Sequence, residues 1–114
     1  MKGRTASSNV RAVMWTVAEM GIEHCRYDVG GAFGGTQDSE YLAMKPMGRV
    51  PVIKDDLTTL FQSQAIMRCL AAQHGSENFW PSDPMKRAPV DQGSEWSKIS
   101  VAPVTIYIVF LATR

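Results

Sequence analysis

The stretch at residues 48–53, Gly-Arg-Val-Pro-Val-Ile, constrains the fold more than any other, because a proline interrupts what its apolar residues predict to be a β-strand. Pro51 has no backbone N–H to donate, so it belongs at a sheet edge, at a bulge or at the first residue of a strand. One alternative is a trans proline on an edge strand. The other is a cis bond between Val50 and Pro51, which is typical of a tight turn. The cis form would turn the backbone N–H and C=O of Val50 outward, where a ligand can pair with them.

A second motif, Phe-Gln-Ser at residues 61–63, lies where a strand pattern gives way to a helical one. Ser63 at a helix start would offer its hydroxyl and unpaired backbone N–H groups to an anion. A plain helix cap would explain Ser63 but leaves Gln62 unexplained. An extended backbone edge beside an anion site predicts a binding site for a small peptide with a carboxylate.

Hydrophobic periodicity organises the rest of the first half. Apolar residues at i, i+3, i+4 and i+7 predict a helix from residue 10 to a stop at Gly21, capped by one of the polar residues 7–9. After it we expect a half-buried strand, a glycine-rich loop, a short helix, a hairpin and a longer helix. We expect the strand at residues 23–29, the glycine-rich loop at 30–35, the short helix at 38–44 and the longer helix at 63–74. The hairpin pairs residues 50–53 with 58–61 through a turn at 54–57. The order α, β, α, β, β, α indicates an α/β or α+β layer fold.

The second half of the chain changes in composition. Residues 76–84 contain Phe-Trp-Pro-Ser-Asp-Pro and are expected to form a rigid linker. The following residues are expected to form one long helix, with Pro89 in its first turn and a kink at Pro103. We therefore predict a domain at residues 1–75, a linker at 76–84 and the start of an α-helical domain at 85–114.

Composition excludes several function classes. The net charge of the 114 residues is +1, which gives no electrostatic reason to bind nucleic acid or an anionic membrane. Cys25 and Cys69 are far apart and lie in apolar patterns, so we expect buried thiols in a reducing compartment and no metal site. The longest apolar stretch, residues 101–112, is shorter than the roughly 20 residues of a spanning helix. No secretory signal is visible at the start.

Several motifs stand in a fixed order along the chain. They are Arg-Thr-Ala-Ser-Ser-Asn-Val-Arg at residues 4–11, Asp-Val-Gly-Gly-Ala-Phe-Gly-Gly at 28–35, Met-Gly-Arg-Val-Pro at 47–51, Phe-Gln-Ser-Gln-Ala-Ile at 61–66, Phe-Trp-Pro at 79–81 and Val-Asp-Gln at 90–92. In sequence and spacing they resemble the cytosolic glutathione transferase family, in its bacterial, theta/zeta-like serine branch. The resemblance covers nearly the whole chain.

The resemblance implies a thioredoxin-like domain that binds glutathione, followed by an all-α domain. It implies transfer of the glutathione thiolate to a small electrophile, as in detoxification, in a cytoplasmic homodimer that needs no metal. Ser7 matches the catalytic serine, whose hydroxyl would stabilise the thiolate. The glutathione-binding positions that the family pattern assigns are Arg49, Val50, Pro51, Gln62 and Ser63.

Three alternatives stay open at this stage. Ser7 is an equally good helix cap, and Ser8 or Asn9 stands close enough to take the catalytic role. Arg49 could be an ordinary solvated surface charge. The chain could also be a non-catalytic binding or dimerisation module of the same family, or an inactive fragment.

The first strand is expected to be truncated. Only Met1 and Lys2 precede Gly3, where the family has an internal first strand of about five residues. We therefore expect unpaired ladder groups and a gap in the core.

Overall fold

The computed structural model describes residues 1–56 and 58–113, which divide into two compact units, Met1–Gly75 and Ser76–Arg114. The first unit contains three helices and one hairpin among its described residues. They are α1 (Ser8–Glu19), α2 (Ser39–Met44), β1 (Val52–Lys54), β2 (Thr59–Phe61) and α3 (Ser63–His74), with a 3₁₀ turn at Gly31–Phe33. The α/β fold class expected from the sequence is confirmed, but the expected order α, β, α, β, β, α loses its first strand in the described residues.

Helix α1 forms where its spacing predicts it. The Ser7 side chain caps it by accepting a hydrogen bond from the Val10 N–H. The buried residues Val10, Val13 and Val17 form one stripe at helical spacing. Gly21 follows the last turn with φ +62°, a left-handed conformation that a residue without Cβ adopts easily.

The hairpin is shorter than predicted and lies slightly later in the chain. β1 pairs with β2 in antiparallel register, with Val52 opposite Phe61 and Lys54 opposite Thr59. Residues 50–51 stay outside the strand. The expected turn at 54–57 includes Leu57, which lies outside the described residues.

The predicted strand at residues 23–29 is wrong. Tyr27 makes a single parallel bridge to Lys2, and Cys25 and Tyr27 are exposed, where the alternation predicted burial. Cys69 is half-buried. Among the described residues only Met1–Gly3 runs beside this segment and bridges it at Tyr27, so no continuous ladder forms here. Lys2 also forms an antiparallel bridge to Val52. In the described part of the chain, residues 1–3 are therefore the only β-bridge connection between the Tyr27 segment and β1.

The core of the first unit lies where α1 packs on α3. Val13, Val17 and Ile66 form its buried cluster, and Met1 and Ile53 pack against them from the sheet side. Ile66, at 0% exposure, comes from the first half of α3. Packing of both helices on one side of the hairpin therefore fixes the start of α3, which carries Gln62 and Ser63.

The second unit is a helix interrupted once. It comprises α4 (Pro84–Trp96), a π-helical turn (Ser97–Val101) and α5 (Ala102–Ala112). The interruption lies just before Pro103, whose missing N–H and ring cannot continue the regular ladder, as predicted. Pro89 lies inside α4, which begins at Pro84, and not in its first turn as predicted. No helix among the described residues is long and apolar enough to cross a membrane.

Candidate functional site

Three loops of the first unit surround a cavity of about 260 Å³. The loop before α1, the glycine-rich loop and the turn before β1 each contribute residues. The lining residues are Arg4, Ser7, Asn9, Gly30, Gly31, Thr36, Gly48, Arg49 and Val50. The sequence predicted three of these as site residues, namely Ser7, Arg49 and Val50.

Ser7 is both a helix cap and a cavity residue. Its Oγ accepts a hydrogen bond of 3.4 Å from the Val10 N–H, and the side chain is half-buried. Because the oxygen acts as the acceptor, the hydroxyl hydrogen is left to donate toward the cavity. Asn9 also lines the cavity, whereas Ser8 is exposed and does not.

Side chains outside the cavity hold the loop that carries Ser7. Arg11 Nε donates to the Thr5 carbonyl at 2.8 Å, and Arg26 Nη1 donates to the Gly3 carbonyl at 2.9 Å. A Cβ on Gly3 would lie 2.5 Å from Val10 Cγ2, so only glycine lets the loop approach α1 this closely. The bond from Arg26 to Gly3 joins residues 23 positions apart, so sequence spacing could not reveal it.

The turn before β1 exposes a backbone edge. The bond between Val50 and Pro51 is cis, as predicted, and Pro51 is fully buried. The Tyr41 hydroxyl donates to the Arg49 carbonyl at 2.8 Å, and burial raises the pKa of Tyr41. Among the described residues, no group hydrogen-bonds to the N–H or C=O of Val50. That edge is therefore available to a ligand.

The junction between β2 and α3 lies beside the same turn but outside the cavity. Phe61, the last residue of β2, pairs with Val52, which directly follows the cis proline, so Gln62 and Ser63 begin next to this turn. Gln62 has φ +72°, a strained value for a residue with Cβ, and such strain collects at functional sites. Ser63 is 4% exposed, and no described residue hydrogen-bonds to its hydroxyl.

The electrostatics of the cavity favour an anionic ligand. Arg49 is exposed at its rim, and Arg4, half-buried, packs over Gly31 on the opposite loop. The lining contains no Asp or Glu. The sequence missed Arg4, although its place beside Ser7 was a usable signal. No group of three or more His, Cys, Asp or Glu side chains in residues 1–56 and 58–113 is placed to hold a metal ion.

Comparison with known proteins identifies this arrangement. Residues 6–73 match the family described as "Glutathione S-transferase, N-terminal domain". Glutathione S-transferase GstB of Escherichia coli K12 is 37% identical over 97 residues, which are 83% of this chain and 47% of that protein. Glutathione S-transferase 1 of Manduca sexta is 37% identical over 89 residues, 76% of this chain and 41% of that protein.

Solved structures agree with these relatives. The theta class glutathione S-transferase of Xanthomonas axonopodis pv. citri, solved with glutathione bound, superposes with a TM-score of 0.84 at 40% identity, over 90% of this chain and 49% of that one. Glutathione transferase F2 of Populus trichocarpa gives a TM-score of 0.81 at 28% identity. The chain spans about half the length of the relatives it matches. The thioredoxin-like fold implied by the motifs is confirmed, and the chain belongs to the glutathione S-transferase family.

Proposed function

We propose that the chain carries the glutathione site of a glutathione transferase and activates the glutathione thiol for attack on a small electrophile. The observation that carries the proposal is the cavity that brings Ser7 together with the unpaired backbone edge of Val50. Glutathione is a short peptide with two carboxylates, which suits an exposed backbone edge and a cavity bordered by Arg4 and Arg49.

Each part of glutathione has a proposed partner. The backbone N–H and C=O of Val50, held by Pro51, would pair with the cysteinyl unit as a short strand. Ser63 and the first N–H groups of α3 would bind the γ-glutamyl carboxylate, and Gln62 its amino group. Arg49 would attract the glycyl carboxylate at the rim.

The chemistry follows from the position of Ser7. A free thiol with a pKa near 8.5 is mostly protonated at neutral pH, and the thiolate is the nucleophile. Donation from the Ser7 hydroxyl would stabilise the thiolate, so the proton leaves to solvent. The sulfur pair then forms a bond to the electrophilic carbon, whose leaving group departs with its own bonding pair. At the end of the cycle Ser7 still carries its proton, and the solvent has gained the thiol proton and the leaving group.

Partner, compartment and domain boundaries are part of the same proposal. We infer a homodimer in the cytoplasm, since the family resemblance implies both and free thiols at Cys25 and Cys69 suit a reducing compartment.

We retain residues 1–75 as the glutathione-binding domain, 76–84 as the linker and 85–114 as the start of the helical domain. The division of the contacts after Gly75 supports the first boundary.

The test is conjugation of glutathione to an electrophilic aryl chloride by the chain and its variants. Ser7→Gly keeps most of the cap strength, because glycine costs a helix cap only a few tenths of a kcal/mol, so it removes the donor with little change in stability. We expect turnover to fall about a hundredfold, as for other lost anion donors. The pKa of the bound thiol, followed by thiolate absorbance, should rise.

Ser8→Ala is the matched control, since Ser8 is exposed and outside the cavity lining. It should leave both turnover and the thiol pKa unchanged. Full turnover in Ser7→Gly would remove the catalytic assignment but not the binding site. A folded chain that is not retained on immobilised glutathione and conjugates nothing would overturn the proposal and favour a non-catalytic module.

A further inference from the structure

A buried lysine follows the last turn of α2. Lys45 is 3% exposed and, Tyr41 apart, it shares burial with only one other polar residue of the described ranges, Ser63. Every other lysine described in the chain is half-buried or exposed. Taking an ammonium out of water is costly, whereas an apolar side chain of the same length would fill the space without that cost. Packing alone therefore does not account for a lysine at this position.

The backbone of Lys45 begins the turn that leads to the Val50 edge. Its N–H donates to the Tyr41 carbonyl at 2.8 Å, and its carbonyl accepts from the Gly48 N–H at 3.0 Å. The Tyr41 hydroxyl then holds the Arg49 carbonyl, one residue before Val50. All the bonds that Lys45 makes here come from its main chain. A substitution of its side chain therefore leaves the support of the Val50 edge in place.

The side chain of Lys45 reaches the other half of the glutathione site. Its Nζ lies 5.6 Å from the centroid of the Phe61 ring, within the distance of about 6 Å at which a cation interacts with an aromatic face. Phe61 is the last residue of β2, and α2 packs against this strand. Gln62 and Ser63 follow it directly. The side chain of Lys45 thus contacts the residue from which the β2–α3 junction departs.

The junction depends on such support because its backbone is strained. Gln62 has φ +72°, and a residue with a Cβ keeps this conformation only where its surroundings hold it. Phe61 is held on one side by its pairing with Val52, which follows the cis proline. The Lys45 ammonium acts on the ring of Phe61, and the attraction is stronger where water is excluded. A neutral side chain would leave the ring without this electrostatic restraint.

We propose that Lys45 is a positioning residue for the γ-glutamyl end of glutathione. Its ammonium fixes the Phe61 ring, and the ring sets Gln62 and Ser63 at the distance from the Val50 edge that one glutathione molecule spans. This inference deepens the proposed function and rests on it. The main-chain bonds of Lys45 serve the cysteinyl end, and its charge serves the γ-glutamyl end, so changing the charge separates the two.

The test begins with Lys45→Met in the 114-residue chain, which keeps an unbranched stem and removes the charge. We expect the dissociation constant for glutathione, measured by calorimetry, to rise about tenfold, because the γ-glutamyl carboxylate loses about one charge-assisted hydrogen bond. Turnover at saturating glutathione and the pKa of the bound thiol should not change, since Ser7 and the Val50 edge are untouched. The kinetic signature is a raised KM with an unchanged kcat.

Two further lysine variants distinguish a positioned charge from any change of charge. Lys45→Arg keeps a cation that interacts with aromatic faces, so glutathione affinity should return to within about threefold of the unaltered chain. Lys54→Met is the matched control, because Lys54 is an exposed lysine on β1 of the same hairpin. It should change the affinity by less than about twofold.

Phe61→Leu tests the route through the ring and also decides the matter if Lys45→Met does not fold. Leucine keeps apolar bulk at Phe61 but has no aromatic face, so we expect the same rise of about tenfold in the dissociation constant. In this background Lys45→Met should add less than about twofold, because residues that act through one contact are not additive.

Three results would overturn the inference while leaving the glutathione site in place. One is unchanged affinity in a folded Lys45→Met or Phe61→Leu chain. Another is an equal loss in Lys45→Met and Lys54→Met, which would show a response to net charge. The third is a lower kcat at unchanged KM, which would place the effect at Ser7. If the unaltered chain binds no glutathione, the proposed function fails and this inference fails with it, so the two failures are distinguishable.

Discussion

At the residue scale, Gly48 and Gly21 have nearly the same left-handed backbone but very different surroundings. Their φ angles are +60° and +62°. A Cβ on Gly48 would lie 3.0 Å from the Thr36 carbonyl oxygen and also meet the Gln37 side chain, whereas a Cβ on Gly21 would meet nothing within 4 Å. Gly48 therefore holds two of the three loops that line the Ser7 cavity close together.

We expect Gly48→Ala to lower the free energy of unfolding by about 2 kcal/mol, of which about 1–2 kcal/mol comes from the left-handed backbone. The close contact with Thr36 should displace the turn and weaken glutathione binding. Urea unfolding and calorimetry measure the two effects. Gly21→Ala is the control and should lower stability by the backbone cost alone. Equal loss of glutathione affinity in both variants would contradict the assignment.

Tyr41 acts on the same turn through one hydrogen bond. Its buried hydroxyl holds the Arg49 carbonyl, the residue next to the Val50 edge. Tyr41→Phe should lower the free energy of unfolding by about 1 kcal/mol, since the part-buried Arg49 carbonyl loses its donor. The apolar ring remains, so the packing of α2 should survive. Chemical unfolding of the two proteins tests the change.

The pH dependence of stability gives a second test at this position. Burial raises the pKa of Tyr41 above its usual 10.0, so the folded state keeps the phenol proton at a pH where the unfolded chain loses it. The contribution of Tyr41 to the free energy of unfolding is therefore complete below pH 10.0. It decreases as the pH rises through the folded-state pKa of Tyr41. Tyr41→Phe should flatten this alkaline loss in unfolding curves. An unchanged alkaline slope would contradict it.

At the scale of elements, the helices and the hairpin were predictable, and the strand at residues 23–29 was not. The sequences of α1 and α3 each contain the apolar stripe and the stop signal of the helix. Val13 in α1 and Ile66 in α3 are buried, as their helical spacing predicts. The strand at residues 23–29 depends on a neighbour, and Met1–Gly3 supplies pairing only at Tyr27. Likewise, Ser7 and Val50 were predictable from motifs, and Arg4 had a usable signal in its place near Ser7, whereas Thr36 enters the cavity only through tertiary folding.

The π-helical turn at Ser97–Val101 gives a prediction for the second unit. Pro103→Ala restores an N–H and removes the ring clash, so a regular α-helix should replace the turn. Proline costs about 3 kcal/mol relative to alanine inside a helix, so helix content and melting temperature should rise. Circular dichroism and amide exchange at residues 97–101 measure both.

Pro84→Ala is the matched control, because Pro84 lies in the first turn of α4, where proline is tolerated. It should change neither quantity appreciably. Similar increases in the two variants would show that the π turn does not depend on Pro103.

At the scale of the whole molecule, α5 presents an unusually apolar exposed surface. Its side chains at Ile106, Tyr107 and Ile108 are 54%, 63% and 59% exposed. Contiguous apolar surface of this kind usually marks an interaction site. We therefore expect the chain to self-associate through α5, with an apparent mass that rises with concentration.

Ile108→Glu should shift the sedimentation equilibrium toward the monomer. The dissociation constant of self-association should rise at least about tenfold, because a charge would enter an apolar contact. Thr105→Glu introduces the same charge at an exposed polar position of α5 and serves as the control. Identical behaviour of the two variants would mean that association does not use the Ile108 surface.

The contact between Gly3 and Val10 also has an evolutionary consequence. A Cβ at residue 3 would lie 2.5 Å from a methyl group of a valine that is 0% exposed, so neither side chain can grow alone. Selection therefore acts on the two positions jointly, and a larger residue at one becomes acceptable only after a smaller one at the other. In a population of variants, the pair should show strong epistasis, with Gly3→Ala deleterious beside valine and nearly neutral in combination with Val10→Ala.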